Sequence, residues 1–460
     1  MKLKLVTLAA ALALAGCVNL APEHQRPALP VADQWPMPAA AQTASEAIAW
    51  PQFYAGDARL VALIRIALQN NRDLRVAVLN AEQARALARV SDANRWPTVG
   101  LAFIRSRDNI PDSATPGYQA GLQVSSYEVD LLGKLRNQSD AATARYLASV
   151  EGTRAAQITL IAGVASSYLA LQADTELEQL AASTLKARQD SEGLARRRFD
   201  LGATSGLDMA TAESATAAAA AAYAQAKRQR AQDENALVLV LGQAIPADLM
   251  AAQPLEAVQL PDVPAGLPSQ VLLARPDVLQ AEQQLSAAEA NIGAARAAFF
   301  PSITLTGLLG SASNQLSQLF TNTIWTFAAQ AAMPIFDAGR NRANLDAAKA
   351  AQGVAVAQYE KAVQTAFKEV SDALAGRATY GEQLDAQTRA VKAADDTLRL
   401  VELRYGQGAS SQLDLLNAQT QAFAAHQALV QLRAAALLNS VQLYKALGGG
   451  VNGNVSGVRG

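Results

Sequence analysis

Cysteine, histidine and aromatic residues are scarce in these 460 residues: there is one cysteine, there are two histidines, and Phe, Trp and Tyr together make up 5%. The single cysteine, Cys17, rules out a disulfide within the chain. With His24 and His426 far apart in sequence, no Cys/His spacing suits a metal ion. Ser205 beside Gly206 lies in no Gly-x-Ser-x-Gly frame and has no histidine nearby in sequence, and Walker-type and dinucleotide glycine patterns are missing. No catalytic residue, metal or diffusible cofactor is therefore expected, and the chain is read as a non-enzyme. The formal net charge of −1, with acids and bases interspersed, lacks the clustered basic surface that a nucleic-acid partner requires.

Half of the chain is hydrophobic by count, much of it alanine. Alanine favours helices but fills little volume, so the composition predicts long helices in shallow contact rather than a thick core. Proline is missing between Pro116 and Pro246 and again after Pro334, leaving two long stretches without the strongest helix breaker.

Those stretches belong to an internal duplication with an offset of roughly 205 residues. Trp96-Pro97-Thr98-Val99-Gly100-Leu101 matches Phe300-Pro301-Ser302-Ile303-Thr304-Leu305, where proline stops a helix and a strand begins. Val129-Asp130 with Gly133-Lys134 matches Phe336-Asp337 with Gly339-Arg340. The longest match sets residues 198–208, which begin Arg198-Phe199-Asp200-Leu201-Gly202, against residues 404–414, which begin Arg404-Tyr405-Gly406-Gln407-Gly408. Both read as helical hairpin tips with glycine at the same place. Leu241-Gly242 and Leu447-Gly448 close the two units.

Each repeat thus reads helix, strand, strand, long helix, tip, helix. The long helices, from Lys134 to about Asp200 and from Arg340 to about Tyr405, span on the order of 100 Å. The flanking helices, about Leu60 to Arg95 and Gly206 to Leu241 in the first repeat, are near half that length, so two stacked end to end match one long neighbour. Val356, Tyr359, Val363, Ala366, Val370 and Ala373 alternate spacings of three and four, as do Val391, Ala394, Leu398, Val401 and Tyr405, which marks narrow coiled-coil seams. In the strands, Tyr118, Ala120, Leu122 and Val124 share one face. Ile303, Leu305 and Leu309, and then Trp325, Phe327, Ala329, Ala331 and Met333, alternate in the same way.

Met1 to Gly16 has the layout of a secretory signal, and Leu14-Ala15-Gly16-Cys17 resembles the bacterial lipobox. That resemblance implies cleavage before Cys17 and a covalent lipid on it. Val18, which is not aspartate, implies sorting to the outer membrane. In a lipid setting four strands cannot satisfy their own edges, whereas three copies would supply twelve strands above helical columns. Two copies remain geometrically possible.

The lipobox, the strand exit Tyr127-Glu128-Val129-Asp130-Leu131-Leu132-Gly133, the Arg-Phe/Tyr-x-x-Gly tips and the duplicated plan together resemble the outer membrane factor, TolC-like, family and its NodT-type lipoprotein branch. The resemblance implies an α plus membrane β-barrel fold, in which four strands per chain complete a 12-stranded trimeric barrel above a long α-helical tunnel. It implies a homotrimer in outer-membrane lipid, lipid-anchored and extending into the periplasm, that serves as the channel of a tripartite efflux system for small molecules. The partners implied are a periplasmic adaptor protein and an inner-membrane pump of the RND type. Adaptor docking would fall on Leu201, Gly202, Ala203 and Thr204 and on Gln407, Gly408, Ala409 and Ser410. A periplasmic gate would match Tyr405 and Asp414, with Asp208 equivalent in the first repeat. Some family members carry a basic residue at the place of Ser410 and a second acid at the place of Asn417, so their full charged lock is not reproduced, and Asp208 and Asp414 fit a helix-capping role equally well. A periplasmic coiled-coil structural lipoprotein and a type I protein-secretion channel are the alternative readings.

The expected boundaries are a signal at 1–16, an acylated extended tether at 17–58, repeat 1 at 59–242 with strands about 98–108 and 117–130, a proline-rich linker at 243–270, repeat 2 at 271–447 with strands about 302–310 and 324–336, and a tail at 448–460. Arg196-Arg197-Arg198 is expected to offset the dipole of the helix it ends and to remain solvated.

Overall fold

A computed structural model describes residues 19–36, 48–106, 117–250, 253–264 and 268–449. The lipobox with Cys17, residues 37–47 of the expected tether and residues 450–460 of the expected tail lie outside the described residues. In chain order the elements are α1 (Trp50–Phe53), α2 (Ala58–Asn70), α3 (Arg72–Ala93), β1 (Val99–Arg105), β2 (Tyr118–Val129), α4 (Lys134–Asp200), α5 (Gly206–Leu241), α6 (Pro268–Ala274), α7 (Pro276–Ala297), β3 (Ser302–Ser313), β4 (Thr323–Ala332), α8 (Arg340–Gly406) and α9 (Gln412–Ala446). Both long helices have 67 residues, so the duplication sets helix length to the residue. The chain divides into two compact units: Met1–Leu29, Val78–Gly152 and Asp277–Ala362 form the first, and Pro30–Ala77, Thr153–Pro276 and Val363–Gly460 the second.

The first unit carries a four-stranded antiparallel sheet in the order β1-β2-β3-β4. Leu101 pairs with Leu122, Leu122 with Leu309, and Leu309 with Trp325, so one register line runs across all four strands. A bulge interrupts the β2–β3 ladder between Val124 and Tyr127, with Ser126 at φ 58°; an extra residue of this kind increases local twist. Strand β4 ends at Ala332, so Met333, expected to continue it, lies past the strand just before Pro334.

Residues 19–29 of the expected tether are extended but fastened. Arg26 donates Nε and Nη2 to the two carboxylate oxygens of Glu282 at 2.9 and 3.0 Å, His24 Nδ1 lies 2.7 Å from Glu289, and Arg296 donates to the Leu20 carbonyl at 2.8 Å. Glu282 and Glu289 are buried on α7. Buried carboxylates need partners to stay charged, and this segment supplies them.

The second unit corrects the expectation of shallow helix contacts throughout. Phe53, Tyr54, Leu60, Leu63 and Ile64 form a closed apolar core with Ile161, Tyr168 and Leu169 of α4, Leu237 and Leu241 of α5, and Val441 and Tyr444 of α9. The rings of Phe53 and Tyr444 stack with centroids 4.0 Å apart. This core also corrects two expected boundaries. Trp50–Phe53 is helical inside the segment read as tether, and α2 begins at Ala58, capped by Asp57, which accepts from the amides of Arg59 and Leu60 and from the hydroxyl of Tyr168 at 2.7 Å. Burial of Phe53 and Tyr54 favours the chain in this place over a free extended one.

The expected helix from Leu60 to Arg95 is two helices. Asn71 leaves the helical conformation, its side chain accepting from the Leu74 amide and donating to the Val240 carbonyl, so it starts α3 as a cap. In the second repeat the break between α6 and α7 falls at Arg275, because Pro276 restricts the residue before it. Arg275 is buried there, donating to the Ala446 carbonyl and to Glu369 at 2.7 Å each.

Candidate functional site: the sheet wall and the helical tips

One face of the sheet is apolar and open. Val99, Leu101 and Phe103 of β1 align with Val124, Leu122 and Ala120 of β2, then with Leu309 of β3 and with Trp325 and Phe327 of β4. Leu101 is 88% exposed and Trp325 76%. The opposite face carries Gly100, Gln123, Gln119, Thr306, Gly310, Thr326 and Gln330, with Ile104, Leu308 and Ile324 among them. A soluble sheet buries its apolar face; this one leaves that face uncovered and gathers its glutamines on the other, the pattern of a strand wall between lipid and water. Among the described residues, β1 pairs only with β2 and β4 only with β3, so each has an unpaired edge.

At the tips the duplication repeats atom by atom. In the first, the Ala203 amide donates to the Arg198 carbonyl at 2.7 Å and the Gly202 amide to the Phe199 carbonyl at 2.9 Å. In the second, the amides of Ala409 and Gly408 reach the carbonyls of Arg404 and Tyr405 at 2.8 and 3.1 Å. This is the paired helix-ending motif that needs a left-handed residue, and Gly202 and Gly408 supply it at φ 68° and 74°. Each returning helix then opens with a capping box. Ser205 caps α5 with Asp208, Ser411 caps α9 with Asp414, and each carboxylate accepts from its serine hydroxyl at 2.8 and 2.7 Å.

Those bonds act on the ionised form. The Ser205 and Thr204 hydroxyls hold the Asp208 carboxyl below the usual carboxylate range, and the Ser411 hydroxyl and amide do the same for Asp414. Both acids therefore stay charged at neutral pH. Tyr405 is buried, its hydroxyl donating to Gln412 Oε1. The guanidinium of Arg198 lies 4.6 Å from its ring centroid, so this arginine is not simply solvated as its position in the basic run suggested.

The structure thus brings Tyr405, Arg198 and Gln412 together, and sets Asp208 and Asp414 as equivalent caps on the two returning helices. Leu201, Gly202, Ala203, Gln407, Gly408 and Ala409 are exposed on the turns, with Thr204 and Ser410 half-buried. Sequence reasoning named Leu201 but missed the rest of the apolar part of this surface, Phe199, Leu207 and Leu413, all exposed. Leu207 and Leu413 occupy matching positions of the two repeats, which was the available signal. On α8, Tyr359, Val363, Ala366, Val370 and Ala373 are buried as the first seam predicts, whereas Ala394, Leu398 and Val401 of the second are only half-buried. No group of three or more His, Cys, Asp or Glu suited to a metal occurs among the described residues.

A family model described as "Outer membrane efflux protein" matches residues 63–243 and 267–449, the two repeats. The chain is 45% identical over 453 residues to the probable efflux pump outer membrane protein TtgC of Pseudomonas putida, covering 95% of this chain and 93% of that protein. It is 41% identical over 461 residues to the probable outer membrane lipoprotein SilC of Salmonella typhimurium, covering 98% of this chain and 99% of that one. Its fold matches the open state of the MtrE outer membrane channel of Neisseria gonorrhoeae with a TM-score of 0.83 at 39% identity, covering 95% of this chain and 99% of the other. An uncovered apolar sheet face, duplicated helical hairpins and these end-to-end likenesses converge: the chain belongs to the outer membrane efflux protein family and is an outer-membrane channel component of an efflux system.

Proposed function

We propose that the working form is a homotrimer in which three four-stranded sheets close one barrel through the outer membrane and the long helices line a tunnel beneath it. The unpaired edges of β1 and β4, beside an apolar face with no cover, carry this reading. Backbone groups on a strand edge in hydrocarbon have no water to bond, so another copy has to meet them. Helix α3 supports it further: it buries no residue, and Val76, Leu79, Leu87 and Val90 form one exposed apolar stripe at helical spacing. A coiled-coil structural lipoprotein would leave the apolar sheet face without a role.

The partners proposed are a periplasmic adaptor, seated on the exposed tips at residues 201–204 and 407–410, and an inner-membrane pump of the RND type that the adaptor connects. Leu207 and Leu413 add apolar area to that docking surface. A lipid on Cys17 would anchor the chain, with the strap at residues 19–29 setting where the anchor leaves the protein.

For the gate, Asp208 and Asp414 provide fixed negative charge at the constriction. Repeated by threefold symmetry, like charges crowd in the closed state and favour opening when the adaptor engages. Tyr405, held between Arg198 and Gln412, acts as the clasp within each chain. Small molecules delivered by the pump pass through without covalent change.

The test is reconstitution of the full-length protein into planar bilayers, with its mass measured in detergent. A trimer giving discrete, cation-sensitive conductance steps is expected. A water-soluble monomer that leaves bilayers intact would refute the reading.

A further inference from the structure

Arg188 is only 7% exposed, toward the C-terminal end of α4. Its Nη2 donates to the Leu416 carbonyl at 3.0 Å and to the Thr420 hydroxyl at 2.7 Å, while Nη1 is buried with no hydrogen-bond partner. Both acceptors are neutral, and burial alone pulls the guanidinium below its usual pKa, with no neighbouring acid opposing that shift. Every other arginine this deeply buried among the described residues has a carboxylate: Arg275 is paired with Glu369. A buried charge without a counter-charge is the costly half of a broken ion pair, and the missing half is an anion.

The same side chain forms part of the wall of an open cavity of about 630 Å³, in the size range of sites for small organic molecules. Ala218, Ala219 and Ala222 of α5 and Phe423 of α9 give its lining apolar area, and Thr184 and Asn417 add polar groups. The alanines have no bulk to fill the space themselves. The cavity is also far larger than the carboxyl group that would neutralise the guanidinium, so its apolar walls call for a ligand with a body as well as a charge.

We infer that this cavity is a binding site for small amphipathic organic anions, with a carboxylate or sulfonate on Arg188 Nη1 and an apolar body between the alanine wall and Phe423. Nη1 is covered, so the guanidinium has to turn toward the open space of the cavity, where a carboxylate can then accept from it. The site belongs to the second unit alone; Leu413, at its rim, is shared with the proposed docking surface, while Arg188, Ala219 and Phe423, on which the test rests, belong to neither the gate nor the docking tips.

The probe is 4-bromobenzoate, with the neutral isostere 4-bromobenzamide as control, titrated calorimetrically into the full-length channel in dodecyl maltoside. The acid should bind at least tenfold tighter than the amide, and Arg188→Gln should abolish that preference. Ala219→Trp, which fills the cavity and keeps the arginine, should abolish binding of both and decides the matter if the Arg188→Gln protein does not assemble. In crystals grown with the acid, the bromine anomalous peak should lie beside Ala219 and Phe423. Equal affinity for acid and amide, binding unchanged in Ala219→Trp, or a bromine peak elsewhere would overturn the assignment. So would an Arg188→Gln channel that binds the acid normally but has lost affinity for an acidic helix of a partner protein, since the guanidinium would then belong to a protein contact. Conductance and trimer mass are recorded on the same samples, so failure here is separable from failure of the trimer reading.

Discussion

The guanidinium of Arg198 covers the ring of Tyr405 at 4.6 Å, joining the last turn of α4 to the last turn of its repeat partner α8. Both residues come from corresponding tips, so the contact ties the two repeats of one chain together where the tunnel is proposed to close. A cation over an aromatic face contributes about 1 kcal/mol at a partly exposed site. Arg198→Ala should therefore shift a closed-to-open equilibrium toward open by about fivefold, read as open probability in single-channel recordings. Tyr405→Phe keeps the ring but removes the donor to Gln412, and should produce a smaller shift in the same direction.

Asp208 and Asp414 each do two things at once, capping a helix and carrying charge, and substitutions can separate them. Asp414→Asn retains a group able to accept at the cap while losing the charge, and should weaken block of the channel by divalent cations. Ser411→Ala loses the capping hydroxyl while keeping the carboxylate, costs about 1 kcal/mol of local helix stability, and should leave cation block in place. Both carboxyls have folded pKa values below their unfolded ones. Their contribution to stability is therefore present above the ordinary carboxylate pKa and lost as pH falls through the lowered folded value. Hydrogen-exchange protection factors at the tip amides, which correct for the intrinsic slowing of exchange in acid, should fall before those of the rest of the chain.

Asp174 on α4 behaves oppositely. Desolvation, with Asp233 of α5 beside it, raises its pKa to about 7. One of its oxygens is buried with no donor in reach, and a shared proton between the two acids supplies one. Because the folded pKa is raised above the unfolded value, the protonated group's contribution is complete below about 3.8 and is lost as pH rises toward 7. The thermal midpoint of the detergent-solubilised channel should fall between pH 5 and pH 8, and Asp233→Asn should flatten that slope.

The strap at residues 19–29 gives a further measurable outcome. Glu282 is buried against Arg26 and Glu289 against His24. Removing Arg26 leaves buried Glu282 with His24 alone at 3.6 Å, a loss smaller than that of a fully buried pair because Arg26 is itself half-exposed. Arg26→Ala should make the segment cleavable by limited proteolysis at protease concentrations that leave the wild type whole, with the helices intact by circular dichroism.

Much of this architecture is written in local patterns. Alternating residues such as Leu122, Val124, Trp325 and Phe327 reveal strands and their apolar face, and the repeated glycine of Gly202 and Gly408 marks both tips, because each signal depends on neighbours in sequence. The break at Asn71 was hidden because its reason is a bond to Val240, far away in the chain. The strap was hidden for the same reason: the partners of His24 and Arg26 lie on α7, and a proline-rich composition reads as extended whether or not the segment is fastened. Arg188 carried no pattern at all, since what sets it apart is the lack of a nearby acid in three dimensions. The capping role of Asp208 and Asp414 was readable from Ser-x-x-Asp, while their neighbours Leu207 and Leu413 gained meaning only once their exposure was known.

The central claim is that the open edge of β1 on one chain meets the open edge of β4 on another. In a single sheet those edges stand three strand spacings apart, about 14 Å, too far for a disulfide between them. The decisive measurement combines Ala102→Cys on β1 with a cysteine substituted in turn at each position of β4, followed by oxidation in outer-membrane vesicles and denaturing gel analysis. Covalent dimers and trimers at one or two neighbouring β4 positions are the predicted result. Monomer alone at every position would contradict the account.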